Sequence, residues 1–214
     1  MPQIDLLIFD LDGTLVDTRQ DLANSVNYAR SKFGCKALPL EQVMQYVGNG
    51  LHKLIQRSLP EDSHDEIDRA IGFFREYYGE HLLDYSTTYP GVQEVLRHFY
   101  DKKKAVISNK PVDFCRIILH GLGLKSNFDV ILGGDSLTIM KPDPEPIFHV
   151  LKTLQVRPNK AVMIGDSSTD MQAGKQAHVY TCGVTYGYRK KEILDQFNPD
   201  FMIDELSALK EKFT

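Results

Sequence analysis

Residues Ile4–Val16 read IDLLIFDLDGTLV. The first half is an apolar run too short and too uniform for an amphipathic helix, and it predicts a strand buried on both faces. The second half places Asp10, Asp12, Gly13 and Thr14 where that strand stops. In open parallel sheets this edge is where ligands sit. Side chains alternate along extended backbone, so Asp12 rejoins a site that Asp10 faces only if the chain turns between Leu11 and Thr14. Gly13 permits that turn at low steric cost. On its own, D-x-D-G is usually a polar turn with solvated carboxylates. Its meaning therefore depends on what the rest of the chain delivers to the same edge.

The chain has 214 residues, enough for one large domain or for a main domain with a small second one. Hydrophobic residues make up 42% and charged residues 25%, an ordinary soluble composition. A formal net charge of −4 excludes the basic footprint of a nucleic-acid binder. The short runs Lys102-Lys103-Lys104 and Arg189-Lys190-Lys191 read as solvated helix ends or loops. Cys35, Cys115 and Cys182 are scattered, which argues against a disulfide framework and fits a reducing compartment. The seven histidines show no metal-ligand spacing, so no zinc site is expected. No signal-like leader and no long uncharged apolar stretch is present. The expectation is a cytoplasmic protein with no membrane and no nucleic-acid partner, either a monomer or a homodimer.

Working outward, short apolar runs recur at Ala105–Ser108, Val130–Leu132, Ala161–Gly165, Val179–Val184 and Phe201–Ile203. Between them apolar residues repeat at helical spacing: Val92, Val95, Leu96 and Phe99, then Phe114, Ile117 and Ile118, then Ile147, Val150, Leu151 and Leu154. Strands alternating with helices of this length predict an α/β fold with a parallel sheet. Right-handed crossovers would bring the strand C-terminal ends to one edge. The first interval departs from this pattern. Leu22, Val26, Ala29 and Phe33 share a helical face that stops at Gly34, and Leu40–Tyr46, Leu51–Leu59 and Glu66–Leu83 read as further helices. The segment from about Asp17 to Thr88 is thus an all-helical insert that would hang over the D-x-D-G loop, and Tyr89-Pro90-Gly91 marks the return.

Other strand ends carry polar residues. The second run closes with Ser108, followed by Asn109, Lys110 and Pro111, with Pro111 expected as the first residue of a helix. A hydroxyl beside a helix N-terminus suits a phosphate, although capping alone also explains it. After the third run, Pro142 and Pro144 stiffen the loop that presents Lys141, a cation that could neutralise a dianion or could simply be a surface lysine. The fourth run ends with Asp166 and, in the next helical turn, Asp170. Acidic residues there favour the helix dipole. Asp166 with Asp10 and Asp12 also makes an oxygen set that suits Mg²⁺. Each feature has an ordinary explanation, but their arrival at one sheet edge does not.

DLDGT, SNK, KP and GDSSTD, in this order, closely resemble the four motifs of the haloacid dehalogenase-like superfamily. Val47–Gly50 (VGNG), Ile107–Pro111 (ISNKP), Lys141–Pro144 (KPDP) and Thr185–Tyr188 (TYGY) are similar to its phosphoglycolate phosphatase branch. The resemblance implies a Rossmann-like parallel-sheet core of residues 1–16 and 89–214 with a helical C1 cap of residues 17–88. It implies a phosphatase acting on a small phosphorylated metabolite, with 2-phosphoglycolate the first expectation. Asp10 would be the nucleophile that becomes an aspartyl-phosphate, and Asp12 the general acid and base. Thr14, Ser108, Asn109 and Lys141 would serve the phosphate. Asp10, Asp12 through its carbonyl, Asp166 and Asp170 would hold or support Mg²⁺. Asp12 argues against the dehalogenase and phosphonate-cleaving branches, which lack an aspartate there. A phosphosugar mutase, an inorganic pyrophosphatase and a non-catalytic phosphate-binding protein remain alternatives on the same motifs. The core reads only phosphate, so Gly48, Asn49 and Gly50 are the expected substrate-selecting residues of the insert. An alternative is that they form a turn with Asn49 left-handed. Arg19, Arg30, Lys53 and Arg57 are cationic candidates for a substrate carboxylate.

Overall fold

β1 (Leu6–Phe9) is buried along its whole length and lies in the middle of a six-stranded sheet. The coordinates are a computed structural model that describes the backbone of residues 1–214 and all side chains except those of residues 62–64. Contacts divide the chain into two compact units, one of Met1–Asp17 with Thr88–Thr214 and one of Thr18–Thr87. The chain passes between them through β2 (Val16–Asp17) and β3 (Thr87–Thr88), which pair with each other.

The first unit holds the sheet. Its other strands are β4 (Lys103–Ile107), β5 (Val130–Leu132), β6 (Ala161–Gly165), β7 (Tyr180–Val184) and β8 (Phe201–Ile203), in the order β5-β4-β1-β6-β7-β8. The paired strands are parallel throughout. Phe9 is in register with Val106 of β4 on one side and Ile164 of β6 on the other. The sheet order reverses at β1, and a crevice at such a switch point is the usual ligand position in open α/β sheets.

Leu6 and Ile8, Ala105 and Ile107, and Ala161 and Met163 occupy alternate positions and so share one face. They pack with Ile147, Val150 and Leu151 of α7 (Glu145–Leu154) and Ala173 of α8 (Ser168–Gln176). Burying each large apolar side chain there contributes roughly 1.5–3 kcal/mol. The remaining helices of this unit are α5 (Val92–His98), α6 (Val112–Gly121) and α9 (Lys191–Asp195).

Two expectations need correction here. Lys103 and Lys104 are not a solvated loop but the first residues of β4, and Lys104 is buried, its Nζ donating to the carbonyls of Phe99 at 2.6 Å and Lys102 at 2.7 Å. A flexible apolar stem lets a lysine enter a strand when carbonyls meet its ammonium. Pro111 precedes its helix rather than beginning it, with ψ 137°, because helical backbone starts at Val112.

The second unit is helical: α1 (Arg19–Ser31), α2 (Leu40–Tyr46), α3 (Leu51–Ser58) and α4 (Ile67–His81), with a 3₁₀ segment at Glu61–Glu66. α1 packs on α4, and Val26, Ala29, Phe74 and Tyr78 are buried. α1 stops at Ser31, short of Phe33, and Gly34 takes φ +68°. Asp21 is buried near the start of α1 and accepts from the Ser86 N–H at 2.8 Å and the Ser86 hydroxyl at 2.6 Å, tying the two ends of the unit together. Among the described residues no helix is long and apolar enough to cross a membrane.

Candidate active site

The turn after β1 is built as its sequence requires. The Asp10 N–H donates to the Ile164 carbonyl at 2.9 Å, which carries the strand pairing one residue beyond Phe9. The carbonyl of Leu11 then accepts from the N–H groups of Thr14, Leu15 and Val16, and the Gly13 N–H returns to the Val16 carbonyl at 2.9 Å. Gly13 has φ +83°, and a Cβ there would stand 2.3 Å from Asp166 Oδ2. Glycine is therefore needed both for the backbone conformation and for the approach of the two loops.

Four strand ends converge around this turn. Asp10, Asp12, Ser108, Asn109, Lys141, Asp166 and Asp170 are all buried. Lys141 Nζ donates to the Ile107 carbonyl and to Asp170 Oδ1, both at 2.6 Å, and lies 3.1 Å from Asp10 Oδ1. It is thus no surface lysine. Asn109 Nδ2 donates to the Lys141 carbonyl at 2.8 Å and fastens the lysine loop to the end of β4. Asn109 thus steadies Lys141 rather than capping α6. Ser108 Oγ accepts from the Lys110 N–H at 3.3 Å.

Asp170 serves two structural roles at once. Its Oδ2 accepts from the Ser167 N–H at 3.0 Å and the Ser167 hydroxyl at 2.6 Å, completing a capping box at the start of α8, while Oδ1 holds Lys141. Such reciprocal capping satisfies donors that a helix start otherwise leaves open.

Electrostatics set the character of the site. Burial pushes the Asp10 carboxyl up to about 7, with Lys141 opposing and the Asp170 and Asp12 charges adding to the rise. Burial also drives Asp166 well above the usual carboxylate range, reinforced by Asp10 and Asp170 against the Tyr188 N–H and Arg189. Burial by itself would lower Lys141, but Asp10 and Asp170 outweigh it and hold the ammonium form more firmly than usual.

One carboxylate oxygen from each of Asp10, Asp166 and Asp170 lies within 4.8 Å of the others. Asp10 Oδ1 is buried, with the Lys141 ammonium as its polar neighbour at 3.1 Å. Hard oxygen donors and a crowd of like charges that burial disfavours together fit a small divalent cation such as Mg²⁺. The side chain of Asp12 stands apart from this cluster and pairs instead with Lys110, whose Nζ donates to Asp12 Oδ1 at 2.7 Å.

Lys110 was not among the residues singled out from the sequence. The signal available was alternation: it follows Ser108 by two positions and so falls on the same side of extended backbone. The TYGY segment also has a structural role that motif reading left undefined. The Tyr188 N–H donates to Asp166 Oδ2 at 2.6 Å, and the Tyr186 hydroxyl donates to the Thr14 carbonyl at 2.9 Å. Thr14 itself is buried, and its Oγ1 has no hydrogen-bond partner.

In the helical unit, Gly48 and Gly50 carry positive φ values of 110° and 82°, so the glycines and not Asn49 supply the left-handed geometry of that turn. Asn49 Oδ1 accepts from Arg57 Nη1 at 2.8 Å. Arg30 holds the backbone of the helical unit and is not placed to meet a substrate. It is buried, and its guanidinium donates to the carbonyls of Lys36 and Ser58. Lys53 pairs with Gln56 at 3.1 Å on the surface.

A carboxylate at the end of the central strand, a buried lysine beside it and a carboxylate cluster on the next strand define a class. The family profile described as haloacid dehalogenase-like hydrolase matches residues 7–184, and the chain belongs to that family. It is 38% identical to a phosphoglycolate phosphatase of Psychrobacter arcticus over 214 residues, 95% of this chain and 93% of the relative. A phosphoglycolate phosphatase of Haemophilus influenzae is 36% identical over 97% of each chain. The crystal structure of a "predicted phosphoglycolate phosphatase" from Haemophilus somnus superposes with a TM-score of 0.90 at 34% identity, covering 99% of both chains.

Proposed function

We propose that this hydrolase is a Mg²⁺-dependent phosphatase that converts 2-phosphoglycolate to glycolate and phosphate. The observation that carries the reading is Asp10. It directly follows the central strand, is buried, and has the Lys141 ammonium 3.1 Å from its Oδ1. The phosphoglycolate phosphatases to which the chain is similar over nearly its full length support the substrate.

In this reading Asp10 attacks phosphorus, forming an aspartyl-phosphate as the ester P–O bond breaks, and Asp12 gives its proton to the departing alkoxide. Asp12 then takes a proton from water, which attacks the same phosphorus and releases phosphate from Asp10. Splitting one displacement into two in this way is the advantage of covalent catalysis. Ser108 and Lys141 hold the phosphoryl oxygens, Asn109 keeps Lys141 in place, and Thr14 offers its free hydroxyl beside them. Asp10, the Asp12 carbonyl and Asp166 would hold Mg²⁺, with Asp170 in support. Bound there, the ion supplies the positive charge that offsets repulsion between the carboxylate and the phosphate ester. The unit Met1–Asp17 with Thr88–Thr214 is the catalytic core, and the helical unit is a cap whose Gly48-Asn49-Gly50 turn selects the leaving group.

Asp10→Asn tests the chemistry. Turnover of 2-phosphoglycolate with Mg²⁺ should drop by at least about 10³-fold while the circular dichroism spectrum stays that of the parent. Normal turnover in the folded variant would sink the mechanism. Comparing kcat/KM for phosphoglycolate, pyrophosphate, nucleotides and sugar phosphates tests the substrate, and phosphoglycolate should rank first.

A further inference from the structure

We infer that Lys110 is a specificity-determining residue, its ammonium receiving the carboxylate of leaving alcohols that carry one beside the ester oxygen. The inference rests on the proposed reaction, in which Asp12 meets the leaving oxygen. A group that passes a proton to that oxygen must come within about 2.6–3.2 Å of it. Lys110 Nζ is 2.7 Å from Asp12 Oδ1. A leaving oxygen bonded to Oδ1 therefore lies within about 6 Å of the ammonium at most. In 2-phosphoglycolate the carboxylate carbon is two bonds from that oxygen, so the carboxylate turned towards Lys110 comes within reach of its charge. A neutral alcohol of the same length offers nothing there for the cation to hold.

The mounting of Lys110 suits such a task. Its N–H donates to Ser108 Oγ at 3.3 Å, and its carbonyl accepts from the Gly134 N–H at 2.8 Å. The backbone is thus held on both sides, and the ammonium carries three donors, of which Asp12 Oδ1 takes one. Only 5% of the Lys110 side chain is exposed, so a carboxylate arriving there meets a cation little screened by water. Lys141 does not substitute for it, because that ammonium is already engaged by Asp170, the Ile107 carbonyl and Asp10. Specificity on this view is shared: part of it is built into the sheet unit beside the general acid, whatever the helical unit adds.

The test compares kcat/KM for 2-phosphoglycolate with that for 2-hydroxyethyl phosphate, in which a hydroxyl replaces the carboxylate. The parent, Lys110→Met and Lys110→Arg are measured with Mg²⁺, each shown to be folded by thermal melting. Lys110→Met should lose on the order of 100-fold on 2-phosphoglycolate and at least about tenfold less on the neutral ester. Lys110→Arg should keep most of the preference. Equal losses on both esters would mean that Lys110 only positions Asp12, and would overturn the inference. A preference that survives intact in Lys110→Met would overturn it too, while leaving the substrate reading standing. A parent with no preference between the two esters would remove the substrate reading and the inference together. Should the methionine variant not fold, Lys110→Gln is read by the same ratio.

Discussion

Gly13 shows how little room the site leaves at the scale of single residues. Its φ of +83° disfavours any side chain, and a Cβ would collide with the Asp166 carboxylate. Gly13→Ala should therefore cost about 1–3 kcal/mol of local strain, taken up by displacing Asp166. The expected outcome is a kcat lowered by about 10- to 100-fold and a higher Mg²⁺ concentration for half-maximal activity. A Mg²⁺ titration of the purified variant checks this, and an unchanged half-saturation point would contradict it. Residues of this kind were legible in the sequence because their type is demanded locally. Asp10, Asp12, Ser108, Lys141 and Asp166 were legible for a different reason, since each follows an apolar run directly or across one short loop. Lys110 and Tyr186 were not, because what defines them is a partner far along the chain: Asp12 for one and the Thr14 carbonyl for the other.

At the scale of elements, β1 and β6 follow their apolar runs closely, because a strand buried on both faces leaves a continuous hydrophobic signature, and the partly buried edge strands β5 and β8 match theirs as well. β4 hid its beginning because Lys103 and Lys104 read as polar, and the carbonyls of Phe99 and Lys102, which accept from Lys104 Nζ, help to explain a lysine inside the sheet. In the helical unit the spacing gave the helices but not the clasp that joins its ends. Asp21 lies in the first turn of α1, where the helix dipole alone would account for an acidic residue. Its carboxylate instead accepts from the Tyr85 N–H and from both the N–H and hydroxyl of Ser86. Asp21→Ala strands these donors, and should lower stability by about 2–4 kcal/mol. Urea unfolding measures the loss, and a midpoint within error of the parent's would refute the clasp.

For the molecule as a whole, the buried acids couple chemistry to stability. Asp10 holds its proton to about pH 7 in the fold, against a reference value of 3.8. Between those values the folded state binds the extra proton, so stability falls as pH rises through the interval. Asp166, also raised by burial, acts in the same direction. In EDTA the melting temperature should decline from about pH 5 to pH 7.5, and Asp10→Asn, with nothing to ionise at that position, should show the shallower decline. Added Mg²⁺ should raise the melting temperature more at pH 7.5 than at pH 5, because ligation favours the ionised carboxylates. Scanning calorimetry across that range checks both, and a slope of the opposite sign in EDTA would refute the coupling. The strand register carries a further consequence, for how the gene tolerates change. Phe9 is locked to Val106 on one side and Ile164 on the other. A one-residue deletion within β1 would turn every side chain on one side of the deletion to the opposite face. Insertions in the long helical excursion leave that alignment untouched. Such a gene is free to lengthen, shorten or exchange the segment between Thr18 and Thr87 while the strand ends stay fixed to the residue.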